Sequence, residues 1–312
     1  MARRTLGDVP SGCRERLLAH YGPSVEEWLD AAPGLLAEAA RRWNLSLRSY
    51  HDAGHASAIA LAVAPDRSRF VLKAWVEPTR YRHETAALRV WAGGPTANVV
   101  HTADDLSVAA LELVGGQPGG DMRPVCERQA VAAAIHRLHT LGQRTPGPGV
   151  PSLDDFLHEV VLPRIYRRMR LLDLGSHEGL AREVCQELAS LREVPSRTTV
   201  LHADLYVENV IFDVEQRPRL IDPHPVEGDA AFDWAFWSVY YNLERGLADR
   251  LATAARISRI PVPEITPWCR ALALDGLLYY TEIDDPARPK IAAVLSSLMA
   301  FGTVTSGAGR DR

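Results

Sequence analysis

The spacing of hydrophobic residues changes twice along this chain, and these changes limit the folds open to it. Between residues 12 and 43 apolar side chains recur three and four positions apart, which predicts helices. From 45 to 114 they alternate, which predicts five strands with one helix after Pro78. After the glycine-rich run 115–120 the spacing is helical again. The pattern therefore predicts an α+β protein with an antiparallel sheet region and a larger, mostly helical region.

The same pattern defines the expected domain boundaries. We predict an N-terminal lobe over 1–114 that includes the helices at 12–43, a hinge at 115–120 and a helical lobe over 121–312. Three short strand-like pieces lie in the helical lobe, at 198–202, 209–213 and 218–222. Proline lacks an amide hydrogen and clashes with the preceding turn of a helix. We therefore expect helix breaks at Pro23, Pro33, the cluster 261–267, Pro286 and Pro289.

Composition excludes several classes of protein. Of 312 residues, 46% are hydrophobic and 24% are charged, which is ordinary for a globular protein with a core. The net charge of −4 offers no basic field for nucleic acid or an anionic membrane, and it is compatible with a cationic small ligand. There is no apolar run of membrane-spanning length and no signal-peptide core. We expect a cytoplasmic monomer or dimer whose four scattered cysteines form neither a zinc site nor disulfides.

Lysine is rare in this chain, and one of its lysines falls on a predicted strand. Lys73 and Lys290 are the only lysines among 35 basic residues, so arginine serves wherever a general positive charge suffices. Lys73 lies in the apolar segment 70–75. A kinase needs one cation over the nucleotide phosphates, held by a carboxylate on a helix. Glu84 is the expected partner and Glu77 the alternative; an exposed strand lysine without a role is the competing interpretation.

The most informative segment is VLHADLYVENVIFD at 200–213, followed by RLIDP at 219–223. Asp204 and Asn209 lie on a loop between apolar strand-like pieces, which can pair as a hairpin and bring Asp222 beside Asn209. Two oxygen ligands then face one hard cation, and Asp204 is positioned to receive a hydroxyl proton. Because Mg²⁺ keeps several waters, such a sparse ligand set is sufficient.

As a set, His202-Ala203-Asp204, Asn209 and Ile221-Asp222-Pro223 resemble the catalytic and metal motifs of the aminoglycoside phosphotransferase family, which has the protein-kinase-like fold. The continuation 227–235 is similar to the streptomycin and hydroxyurea phosphotransferase branch, and the resemblance spans roughly residues 50–240. It implies an enzyme that transfers phosphate from ATP or GTP, with Mg²⁺, to an alcohol group of a small acceptor. Asp204 is then catalytic, and Asn209 and Asp222 are metal ligands. Ala203 replaces the usual glycine, which we expect to do little harm.

The resemblance also implies a nucleotide site. The loop 51–57, which includes Ser57, is similar to the family's loop between the first two strands, although it has one glycine and departs from the glycine-rich consensus of protein kinases. Glu112 and Val114 end the fifth predicted strand and resemble the segment that binds adenine through a carbonyl and an amide. The competing interpretation is an ordinary edge-strand end.

The acceptor site is the least defined part of the sequence. Acidic residues of the helical lobe would attract a cationic acceptor. The candidates are Asp229, Asp233, Glu282 and Asp285, with Glu227, Glu244 and Asp284 as further acidic residues. Asp233 also resembles a carboxylate that supports the catalytic loop from within. The resemblance implies an antibiotic acceptor: an aminoglycoside such as streptomycin, or a basic peptide such as viomycin or capreomycin, with neutral hydroxyurea as a further possibility.

Three other functions stay open at this point. A metabolic kinase of the choline or sugar-amine type has the same motifs, and only a substrate screen separates it. A pseudokinase that serves as a binding module predicts loss of one of Lys73, Asp204, Asn209 and Asp222, and all four are present. A metal hydrolase that uses His202 and Asp204 needs further histidine ligands, and His224 alone is a weak candidate.

Overall fold

The computed structural model describes residues 6–52, 54, 56–116, 123–143, 149–191 and 193–306. The chain divides into two compact units, Met1–Gly115 and Gly116–Arg312. The division falls inside the segment that was predicted to be the hinge, of which residues 117–120 lie outside the described part. The first unit contains an antiparallel sheet and the second is mostly helical, which confirms the predicted α+β class.

The first unit is built on a five-stranded antiparallel sheet of order β1-β2-β3-β5-β4. Its elements are α1 (Ser11–Tyr21), a 3₁₀ turn (Pro23–Val25), α2 (Glu26–Arg42), β1 (Ser46–His51), β2 (Ser57–Val63), β3 (Arg69–Trp75), α3 (Pro78–Val90), β4 (Val99–Ala103) and β5 (Val108–Glu112). Strands β2 and β3 form the predicted hairpin, and the Ala64 amide donates to the Ser68 carbonyl at 2.9 Å across its turn.

Strand β2 explains how the sheet presents two different faces. Its alternate residues Ala58, Ala60 and Ala62 are buried in a cluster with residues of α1 and α2, among them Leu17 and Leu36. Alanines allow the two helices to approach the strand closely, because their side chains are short. The cluster anchors α1 and α2 to the sheet, so these helices belong to the core of the first unit.

The opposite face of the sheet carries Lys73. In the antiparallel register Ile59 lies opposite Lys73, and Lys73 lies opposite Ala109, so the three side chains share one face. Ile59 and its neighbour Leu61 are only partly buried. This face therefore combines one cation with partly exposed apolar side chains.

One proline prediction was wrong, because Pro33 lies inside α2. The predicted break at the cluster 261–267 falls at its first residue, since one helix ends at Ser258 and the next begins at Val262, with Pro267 inside it. Proline in a helix interior removes one hydrogen bond and costs about 3 kcal/mol. Burial of Leu29 and Leu36 on either side of Pro33 offsets that cost, so the helix continues past the proline. Pro23, by contrast, begins the 3₁₀ turn between α1 and α2.

The second unit consists of helices around two small strand pairs. Its helices are α4 (Glu127–Gly142), α5 (Leu153–Phe156), which continues through a π turn (Leu157–Val161) into α6 (Leu162–Leu171), α7 (Glu178–Ser190), α8 (Ala231–Tyr240), α9 (Leu247–Ser258), α10 (Val262–Glu282) and α11 (Arg288–Ser306). Its strands are β6 (Thr198–Leu201), β7 (Val210–Phe212), β8 (Pro218–Leu220) and β9 (Val226–Asp229). In the described part of the chain, none of the helices combines the length and apolarity that crossing a bilayer requires.

Strand β9 was missed by the sequence analysis. It pairs antiparallel with β6, with Val200 opposite Glu227 and Leu201 opposite Val226. Its four residues include Gly228, which is unusual in a strand. A Cβ at Gly228 would lie 2.4 Å from Cβ of Leu153, so this glycine permits close packing of α5. The β6–β9 pair supports the loop that follows Leu201.

Candidate active site

The loop after β6 and the β7–β8 hairpin bring the predicted chemistry together in the second unit. Val210 pairs with Leu220, and the Ile221 amide donates to the Asn209 carbonyl at 3.0 Å. Asp222 therefore follows directly after the residue opposite Asn209. This is the arrangement that the hairpin hypothesis predicted.

Asn209 is hydrogen-bonded to Asp204. Its Nδ2 donates to the Asp204 main-chain carbonyl at 2.8 Å and to Oδ2 of the Asp204 carboxylate at 2.8 Å. Both partners are acceptors, so the NH₂ end of the amide must face Asp204. Both hydrogen bonds are made by Nδ2, so Oδ1 of Asn209 takes no part in them. The bond to Oδ2 fixes the Asp204 carboxylate.

Asp222 completes this set of oxygen donors. Asn209 and Asp222 are both partly exposed, which leaves them accessible to a ligand. The backbone of Asp222 has a φ of +55°, a left-handed conformation that is uncommon for residues other than glycine and clusters at functional sites. An amide and a carboxylate oxygen fit Mg²⁺, a hard cation that binds few protein groups. Among the described residues, no group of three or more His, Cys, Asp or Glu side chains is arranged to hold a metal ion.

Asp233 supports the catalytic loop from within. Its carboxylate accepts from the amides of His202 and Ala203, each at 2.8 Å, and lies 2.9 Å from Nε2 of His139. The side chain is 0% exposed. These contacts contradict the prediction that Asp233 touches the acceptor, because every contact is internal and no surface remains. They agree with the alternative interpretation of Asp233 as a support of the loop.

His202 is a neutral scaffold residue. Complete burial lowers the pKa of its imidazole to about 4, although the charges of Asp233 and Asp222 oppose this shift. Its main-chain carbonyl accepts from the His224 amide at 2.9 Å, which ties the loop to the chain beyond Asp222. The imidazole is therefore neutral at physiological pH, and the residue is 0% exposed.

Ala203 has a φ of +55° and is buried. A Cβ in this left-handed region clashes with the following carbonyl and costs roughly 1–2 kcal/mol. We expected alanine to do little harm here because it leaves most backbone conformations open. That expectation was wrong, since the backbone of Ala203 has the left-handed conformation that favours glycine. The amides of His202 and of Ala203 itself both donate to Asp233, which holds the start of the strained turn in place.

Arg123 also holds this loop and was missed by the sequence analysis. Its guanidinium donates to the carbonyl of Val207 at 3.0 Å and to that of Val210 at 3.1 Å, on both sides of Asn209. It also lies 3.3 Å from the Tyr241 hydroxyl, which donates to Glu127 at 2.5 Å. Nothing in the local sequence signals this role, because Arg123 is 84 and 87 positions away from its partners.

In the first unit, Lys73 and Glu84 form a buried ion pair. Lys73 Nζ lies 2.7 Å from Oε1 of Glu84, and the side chains are 6% and 1% exposed. Trp75 Nε1 donates to the second carboxylate oxygen of Glu84 at 2.7 Å. The pair identifies Glu84, rather than the alternative Glu77, as the carboxylate that holds this lysine. Trp75 therefore also holds the Glu84 carboxylate, and the sequence analysis did not identify this contact.

The loop between β1 and β2 is folded closely onto the start of β2. A Cβ at Gly54 would lie 1.9 Å from the Ser57 carbonyl oxygen, so no other residue fits at this position without a shift of the backbone. Ser57 itself is 2% exposed. Residues 53 and 55 of this predicted nucleotide loop lie outside the described part.

The end of β5 shows how Glu112 is used. The Glu112 amide donates to the Asn98 carbonyl at 2.9 Å, and its carboxylate accepts from Nδ2 of Asn98 at 2.8 Å. The amide is therefore occupied by Asn98, and the contact of the Glu112 carbonyl with adenine stays a prediction. Val114 follows this strand and is buried.

Asp229 was predicted to bind the acceptor, and the structure contradicts this. Its carboxylate accepts from Arg197 at 2.7 Å, from the Val194 amide at 3.1 Å and from the Ala231 amide at 2.9 Å. The side chain is 0% exposed. Asp229 therefore joins β9 to the start of α8, and burial removes it from any acceptor surface.

Glu282 and Asp285 lie at the end of α10. Glu282 is paired with Arg167 at 2.6 Å and with Arg168 at 2.7 Å, and these bonds, that from Arg168 first, hold the pKa of Glu282 below its usual range. Asp285 accepts from the Ala287 amide at 2.7 Å. Glu282 is thus already compensated by two arginines, whereas Asp285 keeps a local turn contact and partial exposure.

A group of tyrosines links this region to Asp204. The pKa of Tyr206 lies well above its usual range. Desolvation is the largest cause, and repulsion by nearby ionisable groups adds to it; these are Tyr240, Asp204, Tyr280 and Asp275. The rings of Tyr206 and Tyr240 lie 5.0 Å apart. In turn, Asp275 accepts from two arginines of α6, Nε of Arg164 at 3.0 Å and Nη1 of Arg168 at 3.1 Å. The sequence analysis did not single out Asp275.

Comparison with known proteins agrees with this geometry. A sequence profile of the aminoglycoside/hydroxyurea antibiotic resistance kinases matches residues 42–265. Streptomycin 6-kinase of Streptomyces griseus is 29% identical over 232 residues, which cover 72% of each chain. Hydroxyurea phosphotransferase of Kitasatospora aureofaciens is 26% identical over 232 residues, 72% of this chain and 66% of that protein.

Solved structures show the same fold. A thermostable mutant of aminoglycoside phosphotransferase APH(4)-Ia, in a ternary complex with ADP and hygromycin B, matches with a TM-score of 0.59 and 16% identity, over 84% of this chain and 98% of that one. This confirms the protein-kinase-like fold. The profile match and the relatives confirm the predicted family and the kinase chemistry. The chain belongs to the aminoglycoside/hydroxyurea antibiotic resistance kinase family and is a phosphotransferase that acts on an alcohol group.

Proposed function

We propose that this kinase transfers the γ-phosphoryl group of ATP, or of GTP, to a hydroxyl of a small antibiotic and thereby confers resistance to it. The observation that carries the proposal is the coupling of Asn209 to Asp204, with Asp222 beside it in the β7–β8 hairpin. This arrangement joins a base for the acceptor hydroxyl to a pair of oxygen donors for Mg²⁺. Phosphoryl transfer depends mainly on such positioning and on charge stabilisation.

Each residue has a distinct role in this proposal. Asp204 orients the acceptor hydroxyl and receives its proton late in the transfer. Lys73, held by Glu84, binds the nucleotide phosphates. Asn209 and Asp222 hold Mg²⁺, which when bound neutralises charge on the phosphate oxygens. The Glu112 carbonyl and the Val114 amide bind the base, and the loop that contains Ser57 covers the phosphates.

For the acceptor we propose the region around Tyr206, Tyr280 and Asp285 in the second unit. Tyr206 follows Asp204 by two positions on the same loop, and the Asp285 amide donates to the Tyr280 carbonyl at 2.9 Å. Aromatic rings next to a carboxylate suit a cationic, hydroxyl-rich molecule, because rings bind its apolar faces and cations. A cationic aminoglycoside of the streptomycin type is therefore the first candidate, and basic peptides such as viomycin and capreomycin come next.

A neutral acceptor is the second candidate, and a specific observation favours it. Three arginines, Arg164, Arg167 and Arg168, accompany the two carboxylates Asp275 and Glu282 on this side of the unit. These ion pairs cancel the negative charge that would attract a polycation. A small neutral molecule such as hydroxyurea suits a surface of this kind, on which three arginines outnumber two carboxylates.

The test is a screen of ATP and GTP consumption with Mg²⁺ across three sets of acceptors. The first set contains streptomycin and other aminoglycosides with viomycin and capreomycin, the second contains hydroxyurea, and the third contains choline and amino sugars. We expect turnover in the first set, with the phosphorylated product identified by mass spectrometry. Turnover confined to the third set would replace resistance by a metabolic role. An Asp204→Asn variant serves as the background control.

A further inference from the structure

The loop between β1 and β2 is tied to helix α1 by one arginine. Arg16 Nη2 donates to Oδ1 of Asp52 at 2.6 Å, and Arg16 Nε donates to the Gly54 carbonyl at 3.1 Å. One guanidinium thus binds two points of the loop at once. The planar fork of arginine makes such a two-point contact directional, which a lysine cannot reproduce.

The start of α1 fits closely against the same loop. A Cβ at Gly12 would lie 2.7 Å from Oδ2 of Asp52, and the Cys13 thiol lies 3.7 Å from the Ser57 carbonyl oxygen. Helix α1 therefore contacts the loop at Asp52 and Gly54 and contacts the start of β2 at Ser57.

Helix α1 is a rigid support for these contacts. Cys13 and Leu17 are 2% and 0% exposed and belong to the core cluster that packs on the sheet. The Arg16–Asp52 pair is itself partly exposed, with side chains 29% and 47% accessible. Exposed ion pairs contribute little to folding stability. The consequence of this pair therefore concerns the conformation of the loop rather than the stability of the fold.

Arg16 lies outside the shared family pattern, because the profile match begins at residue 42. Helix α1 and nearly all of α2 are thus features of this chain that the family match does not describe. The contacts of Arg16 nevertheless converge on the loop for which we propose nucleotide binding. The combination indicates a role in nucleotide binding that the family resemblance alone does not assign.

We propose that Arg16 is a positioning residue for nucleotide binding. By holding Asp52 and Gly54, it keeps the β1–β2 loop in the conformation that receives the nucleotide phosphates, so binding does not have to order the loop. Preorganisation of this kind improves affinity by lowering the cost of ordering. The inference rests on the proposed function, since it presupposes that this loop covers the nucleotide.

The kinetic test compares Arg16→Ala with Arg14→Ala. Arg14 lies on the same helix and pairs with Asp30 at 2.7 Å, away from the loop, so it is a matched loss of one exposed ion pair. We expect Arg16→Ala to raise the KM for ATP about five-fold, or about 1 kcal/mol, with kcat and the acceptor KM within two-fold of wild type. Arg14→Ala should leave all three values unchanged. Equal nucleotide KM values for the two variants would overturn the proposal.

Two further variants keep the test independent of misfolding. Arg16→Lys retains the charge but not the fork, and should recover only part of the nucleotide affinity. Asp52→Asn removes the partner charge, and its effect on KM should not add to that of Arg16→Ala, because Arg16→Ala already removes the contact that Asp52→Asn weakens. Full additivity in this double-mutant cycle would contradict a direct Arg16–Asp52 coupling. Melting temperatures confirm that each variant is folded.

Hydrogen exchange separates this proposal from the proposed function. In Arg16→Ala, amides of the loop up to Ser57 should exchange faster than in Arg14→Ala, whether or not an acceptor has been found. Binding of a non-hydrolysable ATP analogue with Mg²⁺ is then measured for both variants. A looser loop with unchanged nucleotide affinity would overturn the positioning role. A wild-type protein that binds no nucleotide would instead overturn the proposed function itself.

Discussion

Asn209 donates two hydrogen bonds of 2.8 Å to Asp204, one to its main-chain carbonyl and one to its carboxylate. A single amide therefore fixes both the backbone and the side chain of the proposed base. The remaining amide oxygen of Asn209 is on the opposite end of the same group, where it serves as the proposed Mg²⁺ ligand. The positions of the proposed base and of the proposed metal ligand are thus linked by one side chain.

Asp204→Asn should remove the base while it preserves shape and hydrogen bonding. We expect nucleotide binding close to wild type and a fall in kcat of about 10²-fold or more, the usual contribution of a positioned proton acceptor. Glu215→Gln, on the exposed turn of the β7–β8 hairpin, is the control and should keep full turnover. Steady-state kinetics with calorimetric nucleotide binding checks this. A variant with near-normal kcat would show that the base lies elsewhere.

Asp222→Asn should separate metal binding from backbone conformation. Asparagine tolerates the φ of +55° at this position but removes the negative charge. We expect the affinity for the Mg²⁺–nucleotide complex to fall about ten-fold or more and turnover to be lost, while binding of nucleotide in EDTA is unchanged. Calorimetric titrations with and without Mg²⁺ measure the difference. Equal losses in both titrations would argue against a metal ligand at Asp222.

Lys73→Met leaves the buried Glu84 carboxylate without its cation. Breaking a buried pair costs about 3–5 kcal/mol, so we expect both unfolding at lower denaturant and loss of turnover. The double variant Lys73→Met/Glu84→Gln should recover most of the stability but not the turnover, since the glutamine amide is neutral and needs no cation. Lys290→Met is the matched control, because this lysine pairs with Glu244 on the surface. Recovery of turnover in the double variant would contradict a role for Lys73 in phosphate binding.

Substitutions at Ala203 should change the free energy of unfolding in the way expected for a residue with a left-handed backbone conformation. Ala203→Gly relieves the Cβ clash and should raise the free energy of unfolding by up to about 1 kcal/mol. Ala203→Val should lower it by about 2 kcal/mol or more, because a β-branched residue at positive φ is strongly disfavoured. Urea denaturation of the three proteins gives the order. A valine variant as stable as wild type would contradict the left-handed conformation.

Asp233→Asn tests the internal support of the catalytic loop. The substitution puts an NH₂ group near the amides of His202 and Ala203, which are donors themselves. We expect a loss of about 3 kcal/mol in the free energy of unfolding, since hydrogen bonds to a buried charged group are worth about 1.5–3 kcal/mol each. Asp249→Asn, which breaks an exposed pair with Arg128, should change stability by about 0.5 kcal/mol or less. Comparable losses in the two variants would refute this role of Asp233.

The sequence by itself determined the features that depend on short separations along the chain. Alternating apolar residues predicted β2 and β3 and their hairpin, and the apolar segments 210–212 and 219–221 predicted the β7–β8 pairing that brings Asp222 beside Asn209. Glu84 was the expected partner of Lys73, with Glu77 as the alternative, because a kinase needs a cation held by a carboxylate on a helix, and the structure pairs Lys73 with Glu84. These predictions succeeded since period and turn chemistry are local properties of the chain.

Only the tertiary structure decided what depends on distant partners. Asp233 meets His139 across 94 positions and the loop amides across 30 and 31, so its burial could not be read from its own segment. Asp229 was misassigned for the same reason, and Arg16 reaches the β1–β2 loop from a helix 36 positions earlier. The identity of a charged residue does not show whether its side chain faces solvent or binds buried main-chain groups. Packing, which sets its desolvation and its hydrogen bonds, determines which of the two roles it has.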